Sequence, residues 1–124
     1  MLSSDAIPKA RFTWIKRADG SSEFMDFLES IDVKARAKLL ARIEAIEIHG
    51  IEIATRMQWV KKLEYNLFEI RVQLSGNQYR SLYFQSTGNQ YVITHGFSKK
   101  TQKTPKQEII HARHMRDTWQ GNPQ

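Results

Sequence analysis

Apolar and polar residues alternate in four short stretches of the chain, and this period of two predicts β-strands. The first stretch covers residues 11–16 and ends before the turn sequence Ala18-Asp19-Gly20. The second half of the chain holds three more, at 67–74, 79–85 and 91–97, each separated from the next by a glycine-containing turn. We therefore expect an N-terminal strand and an antiparallel three-strand meander.

Two stretches before residue 50 carry apolar residues at helical spacing instead. The first follows a serine N-cap, Ser21 or Ser22, and ends at Ser30. The second has Asp32 as its N-cap and ends at Gly50, with an apolar stripe made of Leu39, Ile43 and Ile46. Because the link between them is short, we expect a helical hairpin. Residues 51–60 show no clear period, and we expect an irregular loop there.

A last helix is predicted after the third meander strand. Thr104 is the predicted N-cap, Pro105 the first helical residue and Gln107 the capping-box partner. The apolar stripe of this helix is formed by Ile109, Ala112, Met115 and Trp119. The order strand, helix, helix, three strands, helix predicts an α+β domain whose helices pack on one face of a twisted sheet.

The size and composition of the chain indicate one globular domain. With 124 residues, 40% of them hydrophobic and 26% charged, we expect a single domain over 1–124 with its core at about 10–118. The chain has no cysteine, which excludes disulfides and thiolate metal sites, and we expect no cofactor and no metal site. It has neither an apolar run of about 18 residues nor a signal peptide, so we expect a cytoplasmic protein with no membrane partner.

Positive charge is concentrated in the second half of the chain. The net charge is +6; residues 1–58 hold nine basic and nine acidic side chains, whereas residues 59–124 hold ten basic and four acidic ones. Such an asymmetry favours a polyanionic partner, with nucleic acid ahead of a membrane surface. The alternative interpretation is a charge excess that serves only solubility.

Cations on the predicted strands are the first candidate site residues. Arg71 and Glu69 lie opposite the apolar positions of their strand, on an expected exposed face, where the alternative is a simple surface ion pair. Arg80 lies on the next strand and can share a phosphate with Arg71. Its phase is that of the apolar residues Leu82 and Phe84, so either it precedes regular pairing or a bulge redirects it.

The end of the third meander strand supplies further candidates. His95 is a candidate general acid or base, and the alternative is a histidine hydrogen-bonded for structure. Lys99, Lys100, Lys103 and Lys106 form the densest run of cations, which fits a phosphate backbone or a solvated loop. Tyr83 has the phase opposite Leu82 and Phe84, so we expect an exposed ring that stacks on a base. His111 and His114 are three residues apart on the last helix but lack a carboxylate at metal-ligand spacing.

Three segments resemble the phage-derived, HigB-like branch of the RelE toxin superfamily. They are Leu67-Phe68-Glu69-Ile70-Arg71, Tyr79-Arg80-Ser81-Leu82-Tyr83-Phe84 and His95-Gly96-Phe97-Ser98-Lys99-Lys100-Thr101-Gln102-Lys103-Thr104-Pro105. The resemblance covers roughly residues 10–118. The family pattern often has a tryptophan where Phe68 stands here.

This resemblance implies a RelE-like fold and a toxin of a type II toxin-antitoxin system. Such a toxin cleaves messenger RNA at the ribosome as a metal-independent endoribonuclease, inhibits translation and is neutralised by a helix-turn-helix, HigA-like antitoxin. It would meet operator DNA only through that antitoxin. The alternative is a RelE-like module that binds RNA or an antitoxin without catalysis. A DNA-binding antitoxin is disfavoured because no helix-turn-helix pair is evident.

The chemistry of the residues and the resemblance together give a set of candidate site residues. Cations would stabilise the negative charge that develops when a ribose 2′-OH attacks the adjacent phosphate. His95 is the candidate proton-transfer group, and Glu69 is an alternative base. The expected catalytic residues are Arg71, Arg80, His95 and Lys99. The expected RNA-binding residues are Lys61, Lys62, Glu69, Tyr83, Lys100, Lys103 and Lys106.

Overall fold

The computed structural model describes residues 7–121, so the ends of the predicted domain, residues 1–6 and 122–124, lie outside the described residues. The elements follow in the order β1 Arg11–Trp14, α1 Glu23–Ser30, α2 Val33–His49, α3 Ile51–Arg56, β2 Val60–Glu64, β3 Leu67–Leu74, β4 Asn77–Gln85, β5 Gln90–Lys99 and α4 Lys106–Gly121. None of the helices within 7–121 has the length and apolar character needed to cross a membrane.

The five strands form one sheet in the order β1-β5-β4-β3-β2. Strands β2 to β5 pair antiparallel, and β1 pairs parallel with β5 at the edge of the sheet. The predicted α+β fold, with its N-terminal strand, meander and C-terminal helix, is confirmed. The meander has one strand more than predicted, because β2 precedes it.

The prediction of an irregular loop at 51–60 is wrong. This stretch forms α3 and the first residue of β2, and it buries Ala54 and Val60 in the core. A six-residue helix followed by a five-residue strand is too short for either period to emerge from the sequence. Helix α3 begins directly after Gly50, whose φ of 92° costs a glycine little.

Helices cover both faces of the sheet, so the prediction that they pack on one face is also wrong. One core joins α1, α2 and α3 to the sheet, with Phe24, Leu39, Ile70, Tyr83 and Ile93 among its buried members. A second, smaller core lies under α4 and contains Leu67, Leu82 and Ala112. Because β4 carries large apolar residues in both phases and Leu67 of β3 faces α4, both faces of the sheet need cover.

A β-bulge in β5 determines which of its residues share a face with α4. Tyr83 pairs with Ile93 and Leu82 pairs with His95, which leaves Thr94 as the extra residue. The bulge shifts the phase of every later residue in the strand. As a result, His95, Phe97 and Lys99 lie on the α4 face together with Leu82 and Arg80.

Helix starts agree with the prediction at α1 and differ at α4. The Ser22 hydroxyl accepts a hydrogen bond of 2.9 Å from the Met25 amide, as an N-cap should. Helix α4 begins at Lys106, and the Pro105 carbonyl accepts hydrogen bonds from the Glu108 and Ile109 amides. The predicted Thr104 cap is therefore wrong, because its hydroxyl donates to the Glu69 carboxylate instead.

The contact between Gly96 and α1 gives a test of this packing. A Cβ at Gly96 would lie 2.2 Å from Cδ2 of Phe27, whose ring is buried in the core. We expect Gly96→Ala to lower the free energy of unfolding by about 1–3 kcal/mol, because the ring must move. Gly121→Ala is the control, since nothing lies within 4 Å of its Cβ position. Chemical denaturation of both variants measures the effect, and equal stabilities would contradict this packing.

Candidate nucleic-acid interface

A buried carboxylate organises the α4 face of the sheet. Glu69 is 1% exposed, and its Oε2 lies 3.5 Å from Nε of Arg71 while its Oε1 lies 3.5 Å from Nε of Arg80. The Thr104 hydroxyl donates a hydrogen bond to the same carboxylate from the loop that follows β5. The prediction that Glu69 lies on an exposed face is wrong, because this loop and two arginines enclose it.

Both Nη atoms of Arg80 donate hydrogen bonds, whereas its Nε has no hydrogen-bond partner among the described residues. Arg80 is 1% exposed, its Nη1 donates to Oε1 of Gln78 at 3.0 Å, and its Nη2 donates to the carbonyl of Gln102 at 2.9 Å. Burial lowers its pKa, the Glu69 carboxylate raises it and Arg71 lowers it further. It remains a cation whose position is determined by its neighbours.

Neither explanation offered for the phase of Arg80 applies. Arg80 pairs regularly with Arg71 on one side and with Phe97 on the other. It shares its phase with Leu82 because that face is a second core, covered by α4 at one end and by the 100–104 loop at the other.

Arg71 occupies the position between this buried cluster and solvent. Its side chain is 25% exposed, and its Nη2 donates to Oε1 of Gln102 at 3.2 Å. It thus keeps part of the guanidinium accessible while Glu69 and Gln102 hold its orientation.

A first cleft of about 340 Å³ opens at Arg71. Two cations of α2 border it, and both are tied to β3: Lys38 donates to the carbonyl of Gln73 at 2.5 Å, and Arg42 to that of Arg71 at 2.6 Å. Its lining also includes Gln58, Gln73, Gln78, Arg80 and Gln102. No carboxylate is among the described residues that line it, so its field is positive.

A second cleft of about 430 Å³ lies on the other side of Arg71 and Gln102 and shares both residues with the first. It brings together three of the predicted RNA-binding lysines, Lys61, Lys62 and Lys103. Lys99, a predicted catalytic residue, lines neither cleft but pairs in register with Gln78, which lines the first. Its pKa is lowered by burial and by the Arg80 and Lys103 charges, while Glu69 opposes the shift. Lys100 and Lys106 are exposed and line neither cleft.

His95 is not brought into either cleft. It is 4% exposed beneath α4, where its Nε2 lies 2.9 Å from Oε1 of Glu108 and its Nδ1 3.0 Å from the Thr94 hydroxyl. Burial lowers its pKa, and the hydrogen bond to Glu108 opposes that shift. Its ring also contacts that of His111, whose Nε2 lies 2.8 Å from Oε1 of Glu23. The geometry favours the alternative interpretation, a histidine that joins β5 to α4.

The prediction that Tyr83 is exposed is wrong. Its ring is 0% exposed and lies on the face of α1, α2 and α3, in contact with the rings of Phe12, Phe68 and Tyr91. Burial raises the pKa of its hydroxyl. The phase opposite Leu82 leads into the larger core and not to solvent.

Several cleft residues were not singled out from the sequence. Lys38 and Arg42 are four residues apart on the polar side of α2, a spacing that places them on one face but does not say what that face meets. The glutamines at 58, 78 and 102 carry no recognisable signal, because only the tertiary structure brings them together.

A family model described as phage-derived protein, Gp49-like, matches residues 26–117. The match runs from α1 into α4 and includes every residue named above as lining the two clefts. No curated protein matches the chain significantly.

The buried carboxylate leads to a prediction about stability. Glu69→Gln removes the charge that compensates Arg71 and Arg80, and we expect a loss of about 3–5 kcal/mol in the free energy of unfolding. The matched control is Glu52→Gln, because Glu52 pairs with Arg56 on the surface, where both side chains are more than half exposed. Urea denaturation of both variants measures the difference, and an equally small effect would show that Glu69 is dispensable.

The environment of His95 leads to a prediction about pH. Because burial holds its folded-state pKa below the usual histidine value of 6.5, the unfolded chain takes up a proton first as pH falls. This contribution to stability is present above about pH 6.5 and is lost as pH falls below that value towards the folded-state pKa.

We therefore expect His95→Gln to show a shallower fall of Tm between about pH 7 and pH 5 than the wild type. His49→Gln, at the exposed end of α2, controls for removal of a histidine as such. Identical pH slopes in the wild type and His95→Gln would be inconsistent with the buried, neutral imidazole.

Proposed function

We propose, since the chain belongs to the phage-derived Gp49-like family of RelE-like, toxin-like proteins, that it is the toxin of a type II toxin-antitoxin system. Its activity is cleavage of messenger RNA on the ribosome, as in the HigB-like branch that its sequence resembles. A helix-turn-helix antitoxin neutralises it and makes the contact with operator DNA.

The observation that carries this proposal is the pair of clefts joined at Arg71. Together they are lined by seven cations and by no described Asp or Glu side chain: Lys38, Arg42, Lys61, Lys62, Arg71, Arg80 and Lys103. A polyanion that releases counterions on binding is the partner that such a surface favours. The site also offers four glutamine side chains, which can bond to ribose and base groups.

The arrangement of Arg71 suits stabilisation of a transition state. When a ribose 2′-oxygen attacks the adjacent phosphorus, negative charge grows on the phosphoryl oxygens and the bond to the 5′-oxygen breaks. Arg71 is oriented by Glu69 and Gln102 before substrate arrives, so its guanidinium meets that charge at little cost of reorganisation. Arginines and lysines here supply the charge, and we propose that the reaction needs no metal.

Lys99 replaces His95 in this proposal as the proton-transfer group. It lies on the Arg80 face of the sheet and pairs with Gln78, which lines the first cleft, and burial lowers its pKa. As an ammonium with weakened hold on its proton, it can protonate the departing 5′-oxygen, while the proton of the 2′-hydroxyl passes to solvent. The products are a 2′,3′-cyclic phosphate and a 5′-hydroxyl.

A second candidate function is a module that binds RNA or an antitoxin without cleavage. It is favoured by the burial of Arg80 and His95, two of the four predicted catalytic residues, which both form hydrogen bonds within the chain. In that case Arg71 and the lysines hold a phosphate backbone and no bond is broken.

Substitution of Arg71 separates the two functions. We expect Arg71→Gln to reduce cleavage of messenger RNA by about 100-fold, because one preorganised cation is lost from the charged transition state. Induced expression, with growth followed and message ends mapped, measures this. Arg56→Gln is the matched control, because Arg56 is an exposed arginine of α3 that lines neither cleft. Thermal denaturation must show that both variants are folded.

Two results would count against the enzyme. Normal growth and intact message with soluble wild-type protein would favour the binding module, as would RNA retained by the wild type without products. Arg80→Ala is a poorer test, since loss of a wholly buried cation exposes Glu69 and disturbs folding as well.

A further inference from the structure

One aromatic ring stands in solvent at the turn between β2 and β3. Tyr65 is 83% exposed, which makes it the most exposed aromatic side chain in the described part of the protein. A single exposed ring is by itself ordinary, so its meaning depends on what surrounds it.

The backbone that carries this ring is held firmly. Nη1 of Arg116, a residue of α4 that is only 9% exposed, donates to the carbonyl of Tyr65 at 2.7 Å. The adjacent Asn66 has a φ of 45° and exchanges two hydrogen bonds with the backbone of Gln85, at 2.9 and 3.0 Å. The turn is thus fixed to both α4 and β4, and the ring projects from a rigid support.

This turn borders a third cleft that continues the basic surface. The cleft measures about 520 Å³ and lies between the β2–β3 and β4–β5 turns, with Lys62, Tyr65 and Asn66 in its lining. Lys62 also lines the second cleft, just as Arg71 and Gln102 line both the first and the second. The three clefts therefore form one track from α2 to the end of the sheet.

The chemistry of the track changes along its length. The first two clefts are rich in cations, whereas the third has a single cation, the exposed ring and a set of amides and hydroxyls from Asn66, Gln85, Ser86, Thr87 and Gln120. The cations of the first two clefts suit phosphates, whereas the ring, amides and hydroxyls of the third cleft suit the face and edge of a nucleobase. From Arg71 to Phe68, which lines the third cleft, the track covers three strand residues, roughly 10 Å at about 3.4 Å per residue, so its occupant is more than one nucleotide long.

We propose that the third cleft is a base-binding subsite, in which a single-stranded RNA held at Arg71 passes Lys62 and stacks an unpaired base on the ring of Tyr65. The inference rests on the proposed function for the identity of the nucleic acid. The strand is single because a base in a duplex has no free face to offer the ring.

Binding of a short, fluorescein-labelled, single-stranded oligouridine with 2′-O-methyl riboses tests the subsite without turnover. Fluorescence anisotropy is measured for the wild type, Tyr65→Leu, Tyr65→Phe and Lys62→Gln. We expect Tyr65→Leu to weaken binding by about 5-fold to 100-fold, because a leucine has no π-face, and Tyr65→Phe to bind within about 2-fold of the wild type.

The salt dependence adds a second readout. Both Tyr65 variants should keep the wild-type slope of log affinity against log salt, because stacking releases no counterion. Lys62→Gln should make the slope shallower by about 0.7, as expected for one phosphate contact to a single strand.

The outcomes separate this inference from the nuclease proposal. Unchanged binding by Tyr65→Leu, equal weakening by Tyr65→Leu and Tyr65→Phe, or no binding by the wild type each overturns the subsite. Cleavage of message on translating ribosomes is measured in parallel for the wild type. If cleavage is absent while Tyr65→Leu binds more weakly than Tyr65→Phe, the nuclease proposal fails and the subsite stands.

Discussion

The buried carboxylate of Glu69 is the constraint on which the architecture of this face depends. A charge that is 1% exposed must be compensated, and here Arg71, Arg80 and Thr104 compensate it from β3, β4 and the loop after β5. One carboxylate thereby joins two strands to the segment that leads into α4. This segment borders the clefts on either side of Arg71, and the hydrogen bond from Thr104 to Glu69 holds it against the sheet.

The same interaction explains why cations can be gathered so densely. Arg71, Arg80, Lys99 and Lys103 repel one another, and Glu69 is a carboxylate that acts on three of them, Arg71, Arg80 and Lys99. Because its own charge is buried on the inner side, the outer side of the cluster stays positive. The arrangement combines a neutralised interior with a basic exterior, which is what binding of a phosphate backbone requires.

The two ends of the α4 face have different roles. At one end, α4 packs over Leu67, Leu82 and the His95–Glu108 pair, and the groups there are satisfied within the chain. At the other end, the 100–104 loop leaves Arg71 partly open. A rigid, packed half thus supports an accessible half. Because His95 lies in the packed end and Arg71 in the open end, Arg71 and the lysines are better candidates for the chemistry than His95.

The sequence by itself determined the local elements and the chemical type of the surface. The strand at 67–74 and the Ser22 cap depend on residues that are neighbours in sequence, so both could be predicted from it, and both are confirmed. The excess of cations after residue 58 is a matter of composition and is equally visible in the sequence. The resemblance of three segments to RelE-like toxins agreed with the family match.

Only the tertiary structure decided which residues share a face and which are buried. Both phases of β4 carry large apolar residues, so no pattern could tell that Tyr83 faces the larger core and Arg80 the smaller one. The bulge at Thr94 changes the phase of His95 and Lys99, and a bulge leaves no mark in the period of a short strand. Contacts between residues far apart in the chain, such as Glu69 with Thr104, are set by packing, and local sequence carries no record of them.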